Sequence, residues 1–192
     1  MFIRLLFYTF ILFIISTEFY LPQTVNKNIN ISLSAINNFN QNEFHEYWEP
    51  GFGFGGEFSL DHFIGEIGVG IILFRFDKKI DSTKSFYGVD YYFLYRYPAK
   101  LTNKLNIILG FDFGIYEFRF DDDGIQNPAE RTEREFAMKI VSGFRYEFAD
   151  SWEAEFTLEY NHIYTKKEIE LLNLRLGIVK SFSSPAWLSE FL

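Results

Sequence analysis

Cysteine is absent from this sequence, so neither a disulfide framework nor a thiolate metal site is open to it. Long Ser/Pro/Gly linkers are absent too, and 192 residues without one read as a single domain. Positive charge is scarce: 18 Lys and Arg against 26 Asp and Glu give a net charge of −8. That leaves no basic stripe to neutralise phosphates and argues against nucleic acid as a partner. No G-x-x-x-x-G-K-[ST] phosphate loop occurs, and no internal repeat of fixed period is visible. What the chain has in excess is aromatic: 21% of residues, with 25 Phe and 12 Tyr.

The one long apolar run lies at the start. Arg4 precedes Leu5-Leu6-Phe7-Tyr8-Thr9-Phe10-Ile11-Leu12-Phe13-Ile14-Ile15, and Ser16-Thr17 follow. This is the basic, apolar and small-residue order of a secretory signal peptide, which we assign to residues 1–22 with the cleavage point left open. It is short for a spanning helix, which needs roughly 20 apolar residues, and the alternative to cleavage is retention as an N-terminal anchor.

The rest of the chain alternates. Eight stretches, at about 27–36, 50–60, 63–76, 86–97, 104–118, 134–148, 152–161 and 170–182, place apolar residues at every second position. One face carries sets such as Phe52, Phe54, Phe58, Leu60, or Leu105, Ile107, Leu109, Phe111, Phe113, Ile115. The other carries Lys, Glu, Asn, Arg and Gly. Most runs reach the roughly 9–11 residues a tilted strand needs to cross a bilayer. A mean hydropathy of −0.05 does not speak against that, because the two faces of an alternating strand average out. Connections are alternately short and long. Asp61-His62 reads as a two-residue hairpin pairing Leu60 with Phe63, and Ala149-Asp150-Ser151 as a three-residue turn setting Arg145 opposite Glu155. The connections 37–49, 77–85, 119–133 and 162–169 are longer and polar. The expected fold is all-β: an eight-stranded antiparallel up-and-down transmembrane barrel over 23–182, with apolar residues facing lipid and a short tail at 183–192.

Gly51-Phe-Gly-Phe-Gly-Gly-Glu57, Leu109-Gly-Phe-Asp-Phe-Gly114 and Leu172-Asn-Leu-Arg-Leu-Gly-Ile-Val-Lys-Ser-Phe182 carry a resemblance over about Asn26 to Phe182. The chain resembles the eight-stranded outer-membrane β-barrel proteins, the small OmpA/OmpX-like superfamily. That resemblance implies a bacterial outer-membrane location, contact with outer-membrane lipid and lipopolysaccharide, and handling by the outer-membrane insertion machinery. Members of the family often end on the aromatic residue of the last strand, whereas Ser183 to Leu192 extend beyond Phe182 here.

An eight-stranded interior is only wide enough to be filled by side chains, so a diffusion channel is not expected. Inward positions place Glu57, Glu66, Asp112, Lys139, Arg145, Glu155, Glu159 and Arg175, with Asp90, Arg96 and Glu147, in the lumen. We read them as a salt-bridge plug rather than a catalytic pair, since buried charges are normally paired. Across the expected hairpin Glu57 faces Glu66, so a cation such as Arg175 or Lys139 should separate them. Inward Gly68, Gly70, Gly110, Gly114, Gly143 and Gly177 make room for long side chains. Tyr95, Tyr97, Phe148, Trp152 and Phe182 are expected in a periplasmic aromatic girdle. Phe74, Phe76, Phe86, Tyr116, Phe118 and Tyr160 are expected in the outer one.

Chemistry-bearing residues are few. A hairpin centred on Lys166 sets His162 across from Glu170, a histidine and a carboxylate that could activate a hydroxyl against a lipid ester. This part resembles the lipid A deacylases, whose penultimate strand carries His-x-Ser-Asn. Only Glu159-Tyr160 and His162 match, and Tyr164 and Thr165 stand where the serine and asparagine would be. His45 sits beside Glu43, Glu46 and Glu49 in what reads as a solvated acidic loop, and Asp121-Asp122-Asp123-Gly124 has the composition of a calcium loop without its ligand spacing. His62 reads as the tip of a tight turn. No metal or cofactor is expected. The leading expectation is a non-enzymatic surface protein whose loop residues Phe39, Phe44, Tyr47 and Trp48 meet an unknown ligand. The alternatives are a deacylase-like hydrolase using His162 and a soluble periplasmic lipocalin-like barrel.

Overall fold

The computed structural model describes residues 28–62, 64–121, 132–166 and 169–185. The expected signal peptide at 1–22 and most of the tail after Pro185 lie outside them, as do residues 122–124 of the aspartate run. Eight strands follow one another: β1 (Asn28–Asn40), β2 (Phe52–His62), β3 (Gly65–Phe76), β4 (Phe86–Lys100), β5 (Leu105–Phe120), β6 (Thr132–Ala149), β7 (Trp152–Ile163) and β8 (Ile169–Ser183). A single helical turn, α1 (Phe44–Tyr47), lies between β1 and β2. Each strand pairs antiparallel with the next, and β1 closes the ring on β8. Closure leaves no strand edge unpaired, which is the condition for putting a backbone sheet into hydrocarbon.

The wall is inside out relative to a soluble barrel. Phe111 and Phe156 are 37% and 40% exposed on the outer surface, while Lys139 and Glu155 inside are 1% and 4% exposed. This overturns the lipocalin-like alternative, which needs the apolar side inward. Both described chain ends and the short turns share one rim, the periplasmic one, and the longer connections share the other.

The first hairpin differs from expectation. Asp61 and His62 belong to β2, the two-residue connection is 63–64, and Leu60 pairs with Ile67, not with Phe63. His62 is therefore not a turn tip. Asp61 looked like a turn residue because it is short and polar. Its carboxylate instead latches β1, accepting from the Asn28 backbone N–H and the Asn30 amide, each at 3.0 Å. The register moves by an even number of residues, so no side chain changes face. Glu57 now lies opposite Gly70, and Glu66 opposite Asp61. In the third hairpin Arg145 does pair with Glu155, but a bulge between Glu147 and Ala149 shortens the turn to Asp150-Ser151. Ser151 takes the left-handed conformation this requires, with φ 61°.

β1 runs four residues further than expected because its asparagines are used inside. The Asn38 amide donates to Asn173 Oδ1 at 2.7 Å, and Asn40 donates to the Trp48 carbonyl at 2.9 Å. Phe39 is consequently a wall residue opposite Leu172, facing outward, and not a loop contact.

Candidate functional site

Three layers fill the lumen. Nearest the periplasm, Arg145 bridges Glu66 and Glu155, with Nη2 2.7 Å from Glu155, and lies 3.7 Å from Glu153. At mid-height the Arg96 guanidinium binds Asp112 and reaches Glu57 at 3.2 Å. Arg175 binds Glu57 through Nη1 and approaches Glu159 at 2.7 Å through Nε. Lys139 donates to Asp90 at 2.8 Å and lies 3.5 Å from Asp112. The expected mediator between Glu57 and Glu66 is thus corrected: Arg96 and Arg175 serve Glu57, and Arg145 serves Glu66.

Tyr92 organises the middle layer and was not among the residues singled out from sequence. Its hydroxyl donates to Glu57 at 2.8 Å and accepts from Arg175 at 3.0 Å, and Lys139 Nζ lies 3.2 Å from its ring centroid. A signal was present. Gly70 and Gly114 are its two cross-strand partners, and a Cβ on Gly70 would come within 2.3 Å of the Tyr92 ring. Two inward glycines at one level mark a large residue between them.

The upper layer is apolar. Phe74, Phe76, Phe86, Tyr116 and Phe118, expected in the outer lipid girdle, point inward and are buried with Ile36, Ile72, Ile163 and Leu171. Their parity opposes that of Leu73, Tyr91 and Ile115 on the same strands, which face outward. Aromatic identity had outweighed position. Phe44 drops into this layer from α1, its ring stacked at 4.7 Å on Trp48 and edge-on to Phe76 at 5.5 Å. Phe44 and the half-buried Trp48 are therefore pieces of a lid and not free contact residues, because the ring of an isolated turn gains most by burial under it.

The lid belongs to a ledge made of two connections. Trp48 Nε1 donates to the Lys84 carbonyl at 2.8 Å, Glu49 N–H to Asp77 at 2.9 Å, and Lys79 N–H to Tyr47 at 2.8 Å. Beside the ledge a vestibule of about 930 Å³ opens outward, floored by Phe86, Phe118 and Phe120 and flanked by Glu43, Glu133 and Glu135. At the outer end of β3, Arg75 grips Asp121 with both Nη atoms at 2.8 and 2.7 Å and lies over Tyr87. Those hydrogen bonds hold the Asp121 carboxyl below its ordinary range.

The model of the outer membrane protein beta-barrel domain matches residues 22–182. The chain belongs to this family. It is a bacterial outer-membrane barrel, and solved structures of such barrels share its fold. Neisserial surface protein A is 10% identical, with a TM-score of 0.65 over 84% of this chain and 100% of that one. Ail, the attachment invasion locus protein of Yersinia pestis, solved with the heparin analogue sucrose octasulfate, is 10% identical with a TM-score of 0.54 over 82% and 100%. OprG of Pseudomonas aeruginosa is 11% identical with a TM-score of 0.53 over 84% and 98%. No curated protein matches in sequence.

In this outer-membrane barrel His162 does lie opposite Glu170, with Nδ1 3.8 Å from the carboxylate. Glu170 also accepts from the Tyr160 hydroxyl and from Asn42. Tyr164 packs edge-on against the imidazole at 4.5 Å, and its hydroxyl is turned toward Met138 Sδ at 3.3 Å. No serine stands in the place where the deacylase motif has its nucleophile. His45 shares a hydrogen bond with the Asn42 carbonyl, and among the described residues no group of three metal-ligating side chains converges.

Proposed function

We propose that this outer-membrane barrel is a non-enzymatic surface protein: a sealed post that presents a folded ledge to partners outside the cell. The supporting observation is the cross-tied ledge of 41–51 and 77–85, clamped over a lumen that its own side chains occupy. A barrel that only spanned the membrane would not need two of its outer connections bonded into one platform. Tyr47, beside the exposed His45 and Glu46, is the forward contact residue. Outer-membrane lipid and lipopolysaccharide surround the wall. Ail was solved with a polyanion, but around this vestibule the carboxylates of Glu43, Glu133, Glu135 and Glu170 outnumber the single Lys166, which favours a cationic partner.

Three measurements test the reading. Purified barrel in planar bilayers should give no conductance steps; a sustained open channel would refute the sealed post. A photo-crosslinker placed at Tyr47 on intact cells should capture external partners that one at Leu33, on the lipid-facing wall, does not. Identical capture from both positions would remove the ledge from the account, and fatty-acid release from lipid A that disappears in His162→Ala would replace it with a hydrolase.

A further inference from the structure

The charges inside the lumen do not balance. Among the described residues six carboxylates are buried there (Glu57, Glu66, Asp90, Asp112, Glu155, Glu159) against four cations (Arg96, Lys139, Arg145, Arg175), which leaves two negative charges over. One of the two falls in the lower layer, beside the more open Glu147 and Glu153 at the periplasmic mouth. The other is in the middle layer, where Glu57, Asp90, Asp112 and Glu159 meet only Arg96, Lys139 and Arg175. That layer is closed above by the aromatic lid and below by the Arg145 cluster. An uncompensated ionised carboxylate in such a place is costly, and the usual outcome is that the group neutralises.

Hydrogen bonding singles out the residue. Glu57 is served by Arg96, Arg175 and Tyr92, Asp112 by Arg96, and Asp90 by Lys139. Glu159 is 0% exposed, and neither of its oxygens has a hydrogen-bond partner; Arg175 Nε lies 2.7 Å away without alignment and shares its guanidinium with Glu57. Two residues along the same inward face stands Asn161, also 0% exposed, with both amide atoms unpartnered. Asn173 lies directly opposite Glu159, its Nδ2 likewise without a partner. An ionised carboxylate can only accept, whereas a carboxylic acid can also donate, and Asn161 Oδ1 is a waiting acceptor.

We propose that the sealed lumen is a proton-binding site: Glu159 holds one proton at neutral pH and donates it toward Asn161, completing the charge balance of the middle layer. The ionisable groups facing it are Glu57 of β2, Asp90, Tyr92 and Arg96 of β4, Asp112 and Tyr116 of β5, Lys139 of β6 and Arg175 of β8. β1 and β3 present only Ser34, Ile36, Asn38, Gly70 and Ile72 to this level. The unfolded chain gives this proton up above the ordinary carboxylate range, so the barrel's stability falls as pH rises from there through neutrality until the folded group itself ionises.

Infrared spectroscopy of the folded barrel in detergent should show the C=O stretch of a protonated carboxyl at pH 7, lost in Glu159→Gln and retained in Glu147→Gln. Stability gives an independent reading. Glu159→Gln is neutral in both states. In urea it should match wild type within a factor of about three in acid, where Glu159 is protonated folded and unfolded alike, and unfold less readily than wild type at pH 7, where only wild type must take up a proton to fold. Arg96→Met, which removes a cation from the layer and leaves Asp112 with only the more distant Lys139, should shift the unfolding equilibrium by a hundredfold or more. Absence of the acid band in wild type overturns the proposal, whether the missing charge proves to be carried by a bound metal ion or by nothing. Damage from Glu159→Gln equal to that from Arg96→Met overturns it as well.

Discussion

Arg145 shows how much a single lumen side chain carries. Among the described residues it is the only cation that binds Glu66 and Glu155, so Arg145→Met leaves two buried carboxylates without a counter-charge, Glu66 keeping only its hydrogen bond from Ser59. The expected loss is about 3–5 kcal/mol, read from urea unfolding in detergent, and adding Glu66→Gln and Glu155→Gln should recover most of it. Gly70 makes the complementary point about space. Gly70→Val drives a side chain into the Tyr92 ring and should cost about 1–3 kcal/mol, with Tyr92→Leu in the same chain relieving the clash. The charged residues of the lumen were legible because a polar residue between two outward aromatics has only one place to point. Tyr92 and the lid phenylalanines were harder to read. An aromatic ring suits a lipid girdle and a packed interior equally well, and only its parity separates them.

The strands themselves were legible almost throughout, since period-two patterning survives errors at their ends. Their turns were less so. Asp61 serves as a latch for β1 from inside β2, a role that composition cannot distinguish from a turn. The ledge was invisible in sequence, because it depends on backbone groups of 41–51 meeting those of 77–85. Its dependence on Phe44 is testable. Phe44→Ala should expose 41–51 to limited proteolysis several-fold faster, while the barrel keeps its folded gel mobility. A second tie, Arg75 to Asp121, makes the outer ends of β3 and β5 sensitive to acid. The folded Asp121 carboxyl lies below its unfolded value, so its contribution is present above that unfolded value and is lost as pH falls through the lower, folded one. Hydrogen exchange at the Asp121 N–H, which donates to the Ser85 carbonyl at 3.0 Å, should report this. Protection is expected to persist at neutral pH, fall only in strong acid, and be reduced at every pH in Asp121→Asn.

The whole barrel behaves as one closed object. Folded protein in detergent should migrate differently before and after boiling, and carbonate washing should leave it in the membrane; unchanged mobility and release by carbonate would together contradict a spanning wall. That much followed from the inverted alternation, which fixes where grease and charge go without saying what the outer face touches. Closure also has a consequence for the order in which the molecule can be built. Arg175 lies on β8, yet it neutralises Glu57 on β2, 118 residues earlier. Until the final strand is delivered, a nascent seven-stranded sheet presents its carboxylates along an open seam with one guanidinium too few. The last segment to arrive therefore brings the counter-charge together with the missing edge, so an incomplete ring has electrostatic as well as backbone reasons to stay unsealed and to wait for its own C-terminal strand.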